Sequence, residues 1–203
     1  MILKINLIKK LKPFLFLLLL TPCVFWIYKL INNQIGVNPI DSFIRKLGEF
    51  SLQLLIVTLL ITPLSRIIFL KNIIHLRRTI GLFAFFYICL HLISYIFLDH
   101  FFNWEYILKD IYKRPFITFG FLAFLLSTPL AITSNNISVR KLSFKIWKKI
   151  HKLIYIITPL AGLHYFLLTK ADKREPIIYL FIIFILISLR IFNYFSKKES
   201  WPK

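Results

Sequence analysis

Six stretches of roughly 20 predominantly apolar residues follow one another in a chain of 203, at about 13–31, 50–69, 79–98, 116–133, 148–168 and 177–194. A helix of that length, rising about 1.5 Å per residue, matches the ~30 Å of hydrocarbon in a bilayer. The chain therefore reads as an all-α polytopic membrane protein, a bundle of six transmembrane helices forming one domain over 1–203. With 58% hydrophobic residues and a mean hydropathy of +0.73, it has too little polar surface to wet a soluble domain.

The first stretch follows Lys4, Lys9, Lys10 and Lys12, as a signal peptide would. No small-residue cleavage site succeeds it, and Pro22 before Cys23 does not suit lipoprotein processing, so a retained helix is expected. Pro13, Pro115 and Pro176 are expected in first helical turns, where a missing N–H costs nothing.

A formal net charge of +19 raises the question of nucleic acid. Loop by loop, however, one side collects Lys4, Lys9, Lys10, Lys12, Arg66, Lys71, Arg77, Arg78, Arg140, Lys141, Lys145, Lys148, Lys149, Lys152, Arg190, Lys197, Lys198 and Lys203. The other side holds Asp41, Glu49, Asp99, Glu105, Asp110, Asp172 and Glu175 with the remaining bases. The positive-inside bias makes the first side cytoplasmic and puts both termini there. Topology and anionic lipid account for the charge, and no nucleic-acid partner is expected. Cys23 and Cys89 form no CxxC and the five glycines form no phosphate loop, so neither a thiolate metal site nor a nucleotide motif is supported.

Chemistry points instead to three histidines inside apolar stretches, His91, His151 and His164. Intramembrane ionisable residues are costly to keep and mark functional sites by default. The third and fifth helices both run outward, which places His91 and His164 in the outer half of the membrane at matching heights. Two imidazoles at one depth on separate helices can clamp a haem iron from both faces. Packing or proton relay is the plainer reading of each.

His151 lies 13 residues before His164, about 20 Å lower on an ideal helix, which suits a second site near the cytoplasmic face. Its counterpart on the third helix is Arg77. Arg77 and Arg78 could hold propionates, a flavin phosphate or anionic lipid, or simply fix topology. Pro159 offers a kink between the two histidines. His75 and His100 are expected to be solvated loop residues, and Tyr95 and Tyr165 to hydrogen-bond a propionate or a ligand imidazole.

Taken in order, Arg77, Arg78, Gly81, Leu82, His91, Ser94, Tyr95, then Arg114, Pro115, Gly120, then Trp147, His151, Tyr155, His164 and Tyr165, the chain resembles the MsrQ (YedZ) family. Ile61–Arg66 (ITPLSR) and Leu130–Ser134 (LAITS) extend the resemblance over nearly the whole chain. That family belongs to the ferric-reductase-like transmembrane superfamily. The resemblance implies a haem b membrane subunit, with His91, His151 and His164 as candidate axial ligands. It also implies FMN as a cofactor and electrons from membrane quinone or a soluble flavin reductase. The acceptor would be MsrP, a periplasmic molybdenum-dependent reductase of methionine sulfoxide in proteins.

Since the chain ends soon after Tyr194, no NADPH-binding domain is expected on it. The expected role is that of an electron-transfer subunit in the bacterial inner membrane, with the substrate chemistry on its partner. Two alternatives stand beside it. One is a stand-alone haem-bearing ferric or cupric reductase. The other is a haem-free anchor or transporter component, which the absence of Asp and Glu from the span interiors disfavours.

Overall fold

The computed structural model describes residues 2–66 and 68–199, and the side chains of 11–66 and 72–192. Of the basic residues assigned to the cytoplasmic side, Lys4, Lys9, Lys10, Lys71, Lys197, Lys198 and Lys203 lie outside the described side chains. Helix dominates, and no strand occurs among the described residues. Six segments are long and apolar enough to cross a membrane: Leu11–Ile31, Pro39–Leu64, Asn72–Asp99, Pro115–Ile132, Ser143–Leu168 and Arg174–Phe192.

The helices are α1 (Ile2–Ile31), α2 (Pro39–Leu64), α3 (Arg77–Ser94), α4 (Trp104–Lys113), α5 (Pro115–Ile132), α6 (Asn136–Lys141), α7 (Ser143–Ile150), α8 (Ile154–Leu168) and α9 (Arg174–Glu199). Several boundaries depart from expectation for local reasons. Pro13 lies inside α1 rather than at its start, because the Leu-, Ile- and Lys-rich run before it is itself helix-forming. Pro115 does open α5.

Helix α2 starts at Pro39 instead of near residue 50. Pro39 fits the first turn, and the Asn38 side chain accepts from the Asp41 amide at 3.4 Å. The stretch between the first two spans is therefore largely helical. The fifth span is interrupted by a 3₁₀ turn at His151–Leu153, whereas α8 carries Pro159 inside a continuous helix.

Helix α2 packs mainly on α3, and α5 mainly on α8. Lesser α2–α8 and α3–α5 contacts close these two pairs into a ring. That arrangement sets α3 and α8 on one diagonal of a four-helix bundle. Leu47, Leu59, Ala84, Tyr87, Ile157 and Thr158 are buried in it. Helices α1 and α9 lie outside the ring, and their outward faces are apolar, with Leu17, Leu18, Phe181 and Phe184 exposed where lipid would cover them.

Helix α1 is pinned to the bundle through Tyr87. Its hydroxyl donates to the Leu19 carbonyl at 2.7 Å and accepts from the Cys23 amide at 3.1 Å. Those two groups are i and i+4 of one helix, so the phenol bridges one turn of the backbone next to Pro22. Trp26, Phe50 and Tyr87 stack edge to face around it.

Candidate functional site

His91 on α3 and His164 on α8 meet across the diagonal of the bundle. Their ring centroids are 6.1 Å apart, and the planes are inclined at 75°. The matching heights expected from helix geometry are thus realised as direct juxtaposition.

Each imidazole is held the same way. His91 Nδ1 lies 2.9 Å from the Ile44 carbonyl on α2, and His164 Nδ1 lies 2.6 Å from the Phe116 carbonyl on α5. Four residues beyond each carbonyl stands a glycine. A Cβ on Gly48 would sit 2.9 Å from His91 Cε1, and one on Gly120 would sit 2.8 Å from His164 Nδ1. In a helix the carbonyl of residue i bonds the amide of i+4. Removing the i+4 side chain uncovers that carbonyl for a second donor and seats the ring flat against the backbone.

The consequence is chemical. A carbonyl only accepts, so the ring nitrogen facing it must carry the proton. In a neutral imidazole Nε2 then keeps its lone pair. Both histidines are fixed in the tautomer that ligates through Nε2, by the backbone bond that commonly orients metal-bound histidine.

The pair fits an iron macrocycle. Two metal–nitrogen bonds of about 2 Å each, plus the ring radii, put trans imidazole centroids about 6 Å apart. Among the described residues no group of three or more His, Cys, Asp or Glu could hold a metal ion. Two histidines would leave the other positions of an ion open, and a porphyrin is a group that would fill them.

His151 lies elsewhere, in the 3₁₀ turn before α8. Its Nε2 is 3.1 Å from Thr133 Oγ1, and its ring lies on Trp147 at 4.1 Å. Trp147 in turn donates to the Thr133 carbonyl at 3.0 Å. Arg78 donates to the Ser134 carbonyl and to Asn136 Oδ1, at 2.6 and 2.7 Å, so it clamps the turn that follows α5. Arg77 makes no such bond among the described residues and faces a cavity of about 1040 Å³ that His151 also lines. Arg66, Arg77, Arg78, Lys148, Lys152 and Arg190 line the same cavity, and among the described residues no carboxylate does.

At the opposite end, the two tyrosines expected to touch a ligand bond carboxylates instead. Tyr95 donates to Asp110 at 3.2 Å and Tyr165 to Glu175 at 3.1 Å. Both ligand Nδ1 atoms are already taken by backbone. His75 is exposed as expected. His100 is not a free loop residue: it stacks on Tyr95 at 4.5 Å and lies 3.7 Å from both Asp99 and Asp110. Ile44, Gly48 and Phe116 were not legible as site residues. The available signal was a lone glycine within each helix, unfavourable unless something must approach closely.

Residues 47–162 match the family of ferric reductase like transmembrane components, a range that holds Gly48, His91, Gly120 and His151 and stops just short of His164. The haem-binding subunit MsrQ of protein-methionine-sulfoxide reductase from Rhodospirillum rubrum is 43% identical over 185 residues, 91% of this chain and 89% of that protein. The chain belongs to the MsrQ family. The MsrQ of Caulobacter vibrioides is 52% identical over 147 residues, 72% of this chain and 70% of the relative. Outside proteins named MsrQ, the magnetosome protein MamZ of Magnetospirillum gryphiswaldense is 36% identical over 189 residues, 90% of this chain but 29% of MamZ.

Proposed function

We propose that this MsrQ-family protein is a haem b electron-transfer subunit of the bacterial inner membrane, with both termini cytoplasmic. It passes electrons from the quinone pool, or from a cytoplasmic flavin reductase, to the periplasmic molybdenum-dependent reductase MsrP, which repairs oxidised methionine in proteins. The observation that carries the reading is the His91–His164 pair, 6.1 Å apart and locked in one tautomer by two backbone carbonyls.

A haem between these rings supplies one-electron chemistry within an apolar bundle. The chain's own residues do the rest. His91 and His164 offer Nε2 lone pairs, Ile44 and Phe116 orient them, and Gly48 and Gly120 make room. The buried side chains of the ring exclude water, which holds the site at low dielectric and helps set its potential.

His151, Arg77 and Arg78 gather at the basic end, where electrons arrive. FMN is carried as a second cofactor on the strength of the family alone. His151 is a candidate ligand of a second, inner haem, with no histidine facing it among the cavity-lining residues.

The test is a dithionite-reduced minus oxidised absorbance spectrum with a haem-to-protein ratio. Sharp reduced b-type bands at a ratio near one assign the iron to His91 and His164, and a ratio near two adds a haem at His151. No haem after expression with ample haem supply overturns the reading. Metal-ion reduction without any molybdoenzyme would favour the stand-alone reductase.

A further inference from the structure

The cavity at the basic end carries a charge that nothing described here neutralises. Arg190 Nη2 is buried and has no hydrogen-bond partner among the described residues, while the guanidinium lies over the Tyr155 ring at 5.7 Å. The like charges of Arg66 and Arg77 bear directly on it. A buried N–H of a half-buried guanidinium left without an acceptor is costly, and several cations facing one space cost more, unless an anion sits among them.

The rest of the wall is mostly apolar, with Thr58, Ser127, Ser134, Asn135 and His151 among the polar groups, and the apolar wall residues Leu82 and Ile191 are exposed. The space therefore combines a group of cations with a mostly apolar wall that includes exposed hydrocarbon side chains. An amphiphile with an anionic head meets both conditions. A propionate of a group held by His91 is poorly placed to do so, because Arg77 lies 14 residues before His91 on α3, about 21 Å along the axis.

We propose that this cavity binds the phosphate of an anionic phospholipid from the leaflet at the basic side, with Arg77 and Arg190 as its ligands and its acyl chains against the wall that includes Leu82 and Ile191. Guanidinium suits the task, since its planar fork pairs two N–H groups with two phosphate oxygens. Arg78, spent on Ser134 and Asn136, is not required. The proposal does not depend on the His91–His164 reading, but it gives phospholipid the cavity that a second haem at His151 would occupy, so a haem-to-protein ratio near two would overturn it.

The experiment is native mass spectrometry of the full-length protein, purified with whatever haem it carries. It is released from nanodiscs containing either phosphatidylglycerol or phosphatidylcholine with identical acyl chains. Retention of phosphatidylglycerol over phosphatidylcholine is expected. Replacing both arginines, R77Q with R190Q, should lower that retention about tenfold, the size of a lost charge-assisted hydrogen bond. Lys141→Gln, a change at an exposed basic residue that does not line the cavity, should leave retention unchanged.

Equal retention of the two lipids in the wild-type protein would overturn the proposal whether or not the variants fold. So would an unaltered double variant. Displacement of the phospholipid by added FMN would overturn it as well, by assigning the phosphate to a soluble flavin nucleotide. In the same samples, haem bound at a ratio near one supports the His91–His164 reading separately from the lipid result.

Discussion

Gly48 and His91 are in contact so close that a methyl group on the glycine would lie 2.9 Å from the imidazole Cε1. Real Cβ atoms do not sit there, so in Gly48→Ala the ring must move. It then gives up the bond to the Ile44 carbonyl that fixes its tautomer. Overpacking of this kind costs about 1–3 kcal/mol, and here the cost falls on the ligand. Haem content per protein in Gly48→Ala should drop, and Gly120→Ala should behave alike, since its Cβ would meet His164 at 2.8 Å. Full haem content and an unshifted low-spin spectrum in both variants would show that the glycines do not seat the ligands.

A second expectation concerns the electronic structure of the iron site. With parallel imidazoles, both rings donate π density into the same iron d orbital and split the pair of d orbitals widely. At 75° each ring acts on a different one, and the pair stays nearly degenerate. The oxidised protein should therefore give a highly anisotropic low-spin electron paramagnetic resonance signal with one large g value. A well-resolved rhombic spectrum, the mark of near-parallel planes, would contradict the ring arrangement.

The three histidines should separate in mutagenesis. His91→Ala and His164→Ala each remove one of two protein ligands, and the bis-histidine low-spin spectrum should be lost in both. His151→Ala removes a ring packed on Trp147 and held by Thr133, a contact worth about 0.5–1.5 kcal/mol. The His91–His164 spectrum should survive it with a slightly lower thermal midpoint. If His151→Ala also abolished the low-spin bands of that pair, the separation of His151, before α8, from the site at His164 would be wrong.

The closeness of His91 and His164 was legible because depth in a membrane helix is nearly a count of residues. The interval from each span's start was enough to set His91 level with His164. What holds the rings was not legible. Ile44 and Phe116 act through carbonyl oxygens, which carry no residue identity, and Gly48 acts by lacking a side chain. Tyr95 and Tyr165 were assigned to the ligands from proximity in sequence. In three dimensions Asp110 and Glu175, from neighbouring segments, reach their hydroxyls first. The start of α2 was misplaced because Asn38 and Pro39 open the helix well before the hydrophobic run begins.

Tyr87 tests how the outer helix is held. Its hydroxyl bonds both the Leu19 carbonyl and the Cys23 amide of α1 in a buried position. Tyr87→Phe keeps the aromatic stack with Trp26 and Phe50 and removes only the oxygen. Hydrogen bonds between membrane helices average about 0.6 kcal/mol and reach about 1.7. Because this hydroxyl serves both a carbonyl and an amide, the loss should approach about 1 kcal/mol. Thermal unfolding in detergent should show a lower midpoint, with haem content per folded protein unchanged because the hydroxyl touches neither His91 nor His164. A midpoint equal to that of the parent would mean that Leu19 and Cys23 recover their own bond when the phenol oxygen is gone, and that α1 is held by apolar packing alone.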